Sequence, residues 1–240
     1  MEGLKAERLK KERTQAIRIR GAALSVLIAD YAATQPVHAI LPTTSDLVAL
    51  EPFRTIIEHT PIEDEVTAAH FQDAMANFPS LVEDWRRSKD RELLELIKAC
   101  PLLPEATEIT ESRLLFATTY FRCEVCEAEI GYPRILVHKC TRSLCPTSEV
   151  DDLFIDLGST PWNYGGGKVS FYVEAYATAV TVLVDCNIRL DVTTGEMDAA
   201  YFRFECLSCN SEEKGRLVMR WPKVVCRHVR IGAHRQKLMP

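Results

Sequence analysis

Two Cys-x-x-Cys pairs are the residues of this sequence best suited to chemistry. They are Cys123 with Cys126, and Cys206 with Cys209. A gap of two residues lets one tight turn bring both thiolates to a single metal ion, at sulfur–metal distances of about 2.3 Å. A redox disulfide is the usual rival use of such a pair, but neither pair stands in the strand–helix context of that motif. Each pair therefore predicts half of a tetrahedral zinc site.

Each pair is followed by the same succession of residues, so the two stretches form an internal repeat. An aromatic–proline step comes next, Tyr132-Pro133 in the first stretch and Trp221-Pro222 in the second, and a histidine follows it. Proline is well tolerated in the first turn of a helix, and we expect a short helix that begins there to direct an imidazole at the metal. A repeated unit is stronger evidence than either pair alone.

Further ligands must complete fourfold coordination at each site. In the second repeat His228 and His234 do so with a finger-like spacing. In the first repeat His138 is one ligand, and either Cys140 or Cys145 completes the set. One ion shared by the four paired cysteines is an alternative to two separate ions, and the downstream histidines favour two. The predicted metal ligands are Cys123, Cys126, His138, Cys140, Cys206, Cys209, His228 and His234.

The predicted cofactor is structural Zn²⁺, as one or two ions, and no enzymatic activity is predicted. A catalytic zinc keeps an open coordination position near a general base. The sequence has neither the His-x-Glu with Pro-Cys-x-x-Cys pattern of zinc deaminases nor a His-Glu-x-x-His motif. Gly167-Lys168 resembles the end of a phosphate-binding loop, but Trp162 stands where that motif requires its first glycine.

Composition and termini indicate an intracellular protein of the nucleus or cytoplasm. Apolar residues make up 47% of the 240 residues, yet no apolar run is long enough to cross a membrane. The N-terminus is charged and lacks the apolar segment of a secretory signal. In a reducing compartment, the nine cysteines are better interpreted as metal ligands and core thiols than as disulfides. No membrane partner is expected.

Helical periodicity covers roughly the first hundred residues and weakens after Pro101. We predict a mainly α fold, with α+β as the alternative. A helical domain spans residues 1–105, and a small zinc-stabilised mixed domain spans residues 106–240. In the second domain, two Cys-x-x-Cys…His units are joined by a helix and a glycine-rich loop.

Three local predictions fill the region between the two pairs. The apolar run Val169–Leu190 suits a buried helix or a strand, and we favour a helix. The stretch Trp162–Gly167, which contains three consecutive glycines, predicts a flexible loop. Thr193, with Glu196 three residues later, predicts a capping box and a short helix through about Ala200.

Charge is distributed unevenly along the chain. The net charge is −5, but residues 1–20 carry +4, and residues 214–240 carry eight basic side chains and no acidic one. Residues 21–213 therefore carry −17. A basic tail on an acidic body can bind an acidic partner or nucleic acid.

Several stretches resemble fungal, notably mushroom, F-box-like proteins over most of the chain. In the helical half they are Leu41-Pro42-x4-Leu47, Phe53-Arg54-x-Ile56-Ile57-Glu58 and Val82–Lys89. In the cysteine-containing half they are Tyr132-Pro133-x4-His138-x-Cys140, Glu196-Met197-Asp198 and Arg216–Trp221. The resemblance implies a relation to substrate receptors of ubiquitin ligases. The F-box itself, about forty residues long, is not visible in the sequence and would be expected upstream of Met1.

The predicted function is therefore a non-catalytic, zinc-binding module for protein–protein interaction. The alternative is a zinc-finger protein that binds nucleic acid through the basic C-terminal residues 214–240.

Overall fold

The computed structural model describes residues 2–103, 109–144, 149–206, 215–225 and 236–239. Helices dominate and a few short strands accompany them, which confirms the predicted mainly α fold with some β structure. None of the helices among these residues has the length and apolar character that crossing a membrane would require. The α-helices are α1 (Glu2–Ala33), α2 (Thr44–Val48), α3 (Gln72–Met75), α4 (Phe78–Lys98), α5 (Asp152–Leu157), α6 (Val173–Asp185) and α7 (Thr194–Ala199). The strands are β1 (Tyr120–Cys123), β2 (Glu129–Gly131), β3 (Val169–Phe171), β4 (Arg203–Cys206), β5 (Val218–Met219) and β6 (Gln236–Met239).

The chain divides into two compact units, and each unit combines two separate stretches of chain. The first unit comprises Met1–Ser88 with Leu136–Lys168, and the second comprises Lys89–Ile135 with Val169–Pro240. This division differs from a single boundary at residue 105. The reason is that β1 and β3 pair with each other in the second unit, although the stretch Leu136–Lys168 of the first unit separates them in the sequence.

The core of the first unit is built around one face of α1. Ile17 and Leu24 lie fully buried there, against apolar side chains that include Phe53 and Leu153. Gly21 allows a close approach to α5, because a Cβ at this position would lie 2.7 Å from Leu157 Cδ2. By contrast, residues 3–12 of the same helix are exposed on every side.

Helix α5 begins at a charged cap. Asp151 Oδ1 accepts a hydrogen bond from Leu153 N (3.0 Å), and Asp151 Oδ2 accepts one from Arg54 Nη2 (2.7 Å). Burial raises the pKa of Asp151, but the Leu153 amide and the Arg54 guanidinium outweigh it and hold the pKa below its ordinary value. The ionised carboxylate therefore belongs to the folded structure.

The second unit contains two three-stranded antiparallel sheets of the same topology. Their orders are β2-β1-β3 and β5-β4-β6, so in each sheet the first strand in the chain is central. Phe121 and Phe204 occupy the central strands and are fully buried. Trp221 packs on Phe204, with ring centroids 5.4 Å apart, and Trp221 Nε1 donates to Ala117 O (2.9 Å). The repeat predicted from the two cysteine pairs thus corresponds to two similar sheets.

The predicted helix over Val169–Leu190 is wrong at its start. Val169 and Phe171 alternate as buried residues of β3, and Phe171 is the register partner of Phe121 in β1. Helix α6 begins only at Val173. The pairing with β1 explains the difference, because it gives the backbone groups of residues 169–171 hydrogen-bond partners that the helical pattern does not reveal.

The predicted capping box of α7 is confirmed. Thr193 Oγ1 accepts a hydrogen bond from Glu196 N (3.1 Å), and Glu196 Oε2 accepts one from Thr193 N (2.7 Å). These two hydrogen bonds satisfy amides at the helix start that have no partner within the helix.

The predicted flexible loop Trp162–Gly167 is instead a closed turn. Trp162 is only 1% exposed, and Asn163 is buried. Asn163 Oδ1 accepts a hydrogen bond from Lys168 N (3.0 Å) across the turn. Gly165 and Gly166 have φ values of +79° and +76°, a region that glycine enters at little cost. The glycines therefore allow a tight reversal of the chain.

Candidate metal centre

The first Cys-x-x-Cys pair lies at the tip of the hairpin that joins β1 to β2. Cys123 is the last residue of β1, and its amide donates to Ala128 O (2.9 Å). Glu127 N donates back to Cys123 O (2.7 Å), and Glu127 adopts a positive φ of 57°. These contacts close the turn around Cys126, as the two-residue gap predicts.

The next part of the site follows the Tyr132-Pro133 step. A 3-10 helical turn runs over Arg134–Val137, where a short helix is predicted, and His138 comes directly after it. Ile135 and Leu136 are fully buried and anchor this turn.

A second 3-10 turn, Lys139–Arg142, carries Cys140. The ligand loop, defined here as residues 138–143, is stabilised by its own hydroxyl groups. Thr141 Oγ1 donates to His138 O (2.6 Å), and Ser143 Oγ donates to Cys140 O (2.8 Å).

Four of the predicted ligands come together within this stretch of 18 residues. The sulfur atoms of Cys123, Cys126 and Cys140 and a ring nitrogen of His138 all lie within 4.8 Å of one another. Tetrahedral zinc with sulfur at about 2.3 Å and nitrogen at about 2.0 Å places its ligand atoms roughly 3.5–3.8 Å apart. A small contraction would therefore close the group around a metal ion. Of the two candidates for the fourth ligand, Cys140 is in the group, and Cys145 lies outside the described residues.

The surroundings of the group favour His138 in its metal-binding form. Cys123 is buried, Cys126 is exposed, and His138 and Cys140 are half-buried. Burial, and then the charge of Lys139, lower the pKa of His138 below its ordinary value. The imidazole is therefore neutral at neutral pH, and the neutral imidazole is the form that binds metal.

Of the second predicted ligand set, only Cys206 can be placed. It is the last residue of β4, it is fully buried, and its amide donates to Leu217 O (2.9 Å). Cys209, His228 and His234 lie outside the described residues. Within the described part of the chain, no second group of three or more potential ligands is brought together.

Sequence reasoning missed a buried polar network behind the ligand loop. Asp46 Oδ1 accepts a hydrogen bond from Trp162 N (2.8 Å), and Asp46 Oδ2 accepts from Arg142 Nε (3.1 Å) and from Thr43 N (2.9 Å). Arg142 belongs to the ligand loop, so the network ties this loop to the start of α2. The available signal was the Thr43-x-x-Asp46 spacing, which is a capping-box pattern.

The donor set limits the chemistry of the site. Three cysteine sulfur atoms and one imidazole form a group that could hold a metal ion, and soft sulfur ligands of this kind suit zinc. The chain matches no known protein family, and no curated protein or solved structure is similar to it. Function must therefore be inferred from the site itself.

Proposed function

We propose that this protein is a non-catalytic zinc-binding protein in which Zn²⁺ is held by Cys123, Cys126, His138 and Cys140. The observation that carries the proposal is the mutual approach of these four ligand atoms within 4.8 Å. Four protein ligands fill a tetrahedron and leave no position for water or substrate, which is the arrangement of structural zinc sites.

The ion would take two ligands from each of two short segments of the chain. The hairpin supplies Cys123 and Cys126, and the ligand loop supplies His138 and Cys140. Structural zinc contributes on the order of 10–16 kcal/mol of apparent binding free energy in small fingers at pH 7. We therefore expect the local structure from β1 to the ligand loop to depend on the metal.

The duplicated sheet supports a second ion in the second repeat. Cys206 ends the central strand β4 as Cys123 ends β1, and both cysteines are fully buried. A buried phenylalanine, Phe121 or Phe204, stands two residues before each. These parallels support Cys206 as the counterpart of the ligand Cys123.

The ligand pair of the first repeat suggests which residues would complete the second. His138 and Cys140 are separated by one residue and follow the aromatic–proline step. In the second repeat Cys226 and His228 follow such a step with the same separation, in the reverse order. By sequence, Cys226 is therefore a better fourth ligand than His234.

We further propose that the zinc-bound structure serves to bind another protein. The resemblance to fungal F-box-like proteins supports a protein partner and a relation to ubiquitin-ligase substrate receptors. Val125 and Val137 are 50% and 53% exposed, and each is adjacent in sequence to a proposed ligand. These two valines are the first positions to substitute in a binding experiment.

Nucleic-acid binding by the basic residues 214–240 is the alternative. Arg216, one of these cations, makes a bidentate pair with the buried carboxylate of Glu205. This pairing leaves less of the positive charge for phosphates. Binding to DNA or RNA that weakens steeply with salt would favour the alternative over a protein partner.

Metal stoichiometry of the purified protein tests the zinc proposal. We expect native mass spectrometry and elemental analysis to find zinc, and Cys140→Ser to remove one ion per chain. Cys100→Ser is the matched control, because Cys100 is a buried cysteine outside the ligand group and its loss should leave the zinc content unchanged. A wild-type protein without zinc, or a Cys140→Ser variant with full zinc content, would contradict the proposal.

A further inference from the structure

Lys168 is a buried lysine whose ammonium group is directed at backbone carbonyls. The residue is 6% exposed, although lysine is among the residues least often buried. Lys168 Nζ donates to Ser143 O (2.7 Å), to Thr160 Oγ1 (2.8 Å) and, at longer range, to Thr141 O (3.4 Å). An ammonium has three donors, and these contacts supply an acceptor for each.

The two backbone carbonyls that accept hydrogen bonds from Lys168 Nζ belong to the ligand loop. They are those of Thr141 and Ser143, the residues whose hydroxyls donate to His138 O and Cys140 O. The ammonium therefore holds the two residues that in turn hold the backbone of two proposed metal ligands.

The closed turn around residues 160–168 fixes the position of the ammonium. Thr160 N donates to Arg142 O (2.9 Å), and Asn163 N donates to Thr141 O (2.9 Å), so the turn is bonded directly to the ligand loop. Asn163 Oδ1 accepts from Lys168 N and closes the turn on itself. The closed turn thus holds the Lys168 ammonium against the ligand loop.

We propose that Lys168 is a positioning residue of the metal centre, which sets the backbone of His138 and Cys140 in the geometry that zinc requires. This inference rests on the proposed function. Hydrogen bonds from a charged donor are stronger than neutral ones. Their loss would take from Ser143 O the donor at 2.7 Å and would leave Thr141 O with only its hydrogen bond from Asn163 N. Outer-shell groups that orient metal ligands typically change metal affinity 10–100-fold when they are removed.

The test compares zinc affinities of full-length variants by competition with a chelator of known affinity. Lys168→Met keeps the length of the side chain but removes every donor, and we expect zinc to bind 10–100-fold more weakly. Thr160→Val removes one acceptor of the ammonium without changing the ligand loop, and a smaller weakening is expected. Leu153→Ala is the control, because it opens the core of the same unit at a residue outside these contacts.

The ligand-field spectrum of the Co²⁺-substituted protein gives a second measurement. We expect Lys168→Met to change this spectrum, since it reports ligand geometry, whereas Leu153→Ala should leave it as in the wild type. Wild-type affinity and spectrum in Lys168→Met would overturn the inference. Equal weakening in Lys168→Met and Leu153→Ala would also overturn it, because the effect would then be general destabilisation.

Two other outcomes can be told apart from those above: a Lys168→Met variant that does not fold, and a wild-type protein that binds no metal. If Lys168→Met does not fold, Thr160→Val decides, and zinc affinity equal to that of the wild type overturns the inference. If the wild-type protein binds neither Zn²⁺ nor Co²⁺, the proposed function itself fails and the inference fails with it.

Discussion

Replacing Asp46 with asparagine should destabilise the first unit severely. Both carboxylate oxygens of Asp46 are used, one by Trp162 N and the other by Arg142 Nε and the Thr43 backbone amide. An amide retains a single acceptor oxygen and must direct its NH₂ group at donors on the other side. The change therefore breaks the hydrogen bonds at one of the two oxygen positions. It also removes the negative charge that faces Arg142.

The size of the expected destabilisation follows from the burial of the ion pair between Asp46 and Arg142. The side chains of Asp46 and Arg142 are 1% and 10% exposed, so solvent screens their interaction little. Removing one partner of a buried ion pair costs about 3–5 kcal/mol. A buried donor left without an acceptor costs about 1–3 kcal/mol and is part of that figure. We expect the free energy of unfolding of the unit to fall by about 3–5 kcal/mol.

Hydrogen exchange measured by mass spectrometry is a suitable assay, because it resolves the two units. A loss of about 3–5 kcal/mol should accelerate exchange in peptides covering residues 43–48 and 160–168 by roughly a hundred- to a few-thousand-fold. Asp30→Asn, a substitution of an exposed aspartate on α1, should stay within about 0.5 kcal/mol of the wild type. A change below about 1 kcal/mol in Asp46→Asn would refute the reasoning.

Three further predictions concern acid stability, helix capping and metal content. The pKa of Asp151 is lowered in the folded protein, so the stability it provides is present above its unfolded pKa and is lost as the pH falls through the folded value. Asp151→Asn should therefore reduce the pH dependence of the melting temperature below about pH 5, and an unchanged acid limb would contradict this. Thr193→Ala should destabilise α7 by about 0.5–2 kcal/mol in thermal unfolding, more than Thr194→Ala does. If the second repeat binds zinc as proposed, native mass spectrometry should find one ion fewer in Cys226→Ser and full occupancy in His234→Ala; the reverse result would restore His234 as a ligand.

Features that depend on neighbouring residues could be predicted well from the sequence. Examples are the helical character of roughly the first hundred residues, the tight turn between Cys123 and Cys126 and the capping box at Thr193. Each is determined within a few residues, by periodicity, by a two-residue gap or by a three-residue spacing. The approach of His138 to the cysteine pair is also local, since the four ligands occupy 18 consecutive residues.

Features that depend on distant partners could not be predicted. Val169–Phe171 forms a strand because β1, nearly fifty residues earlier, pairs with it. The stretch Trp162–Gly167 is ordered because Asp46, more than a hundred residues away in sequence, accepts from Trp162 N. A single sequence contains no sign of either contact.

The short span of the ligand group has a consequence for folding during synthesis. Cys123 and Cys140 are 17 positions apart, whereas Cys123 and its β3 partner Val169 are 46 positions apart. Loop-closure entropy makes the longer closure costlier by about 0.9 kcal/mol, and the shorter one is also complete earlier as the chain leaves the ribosome. If the group binds zinc as proposed, we expect the nascent chain to capture the ion before either three-stranded sheet is complete. The loaded hairpin would then be the template onto which β3 is added.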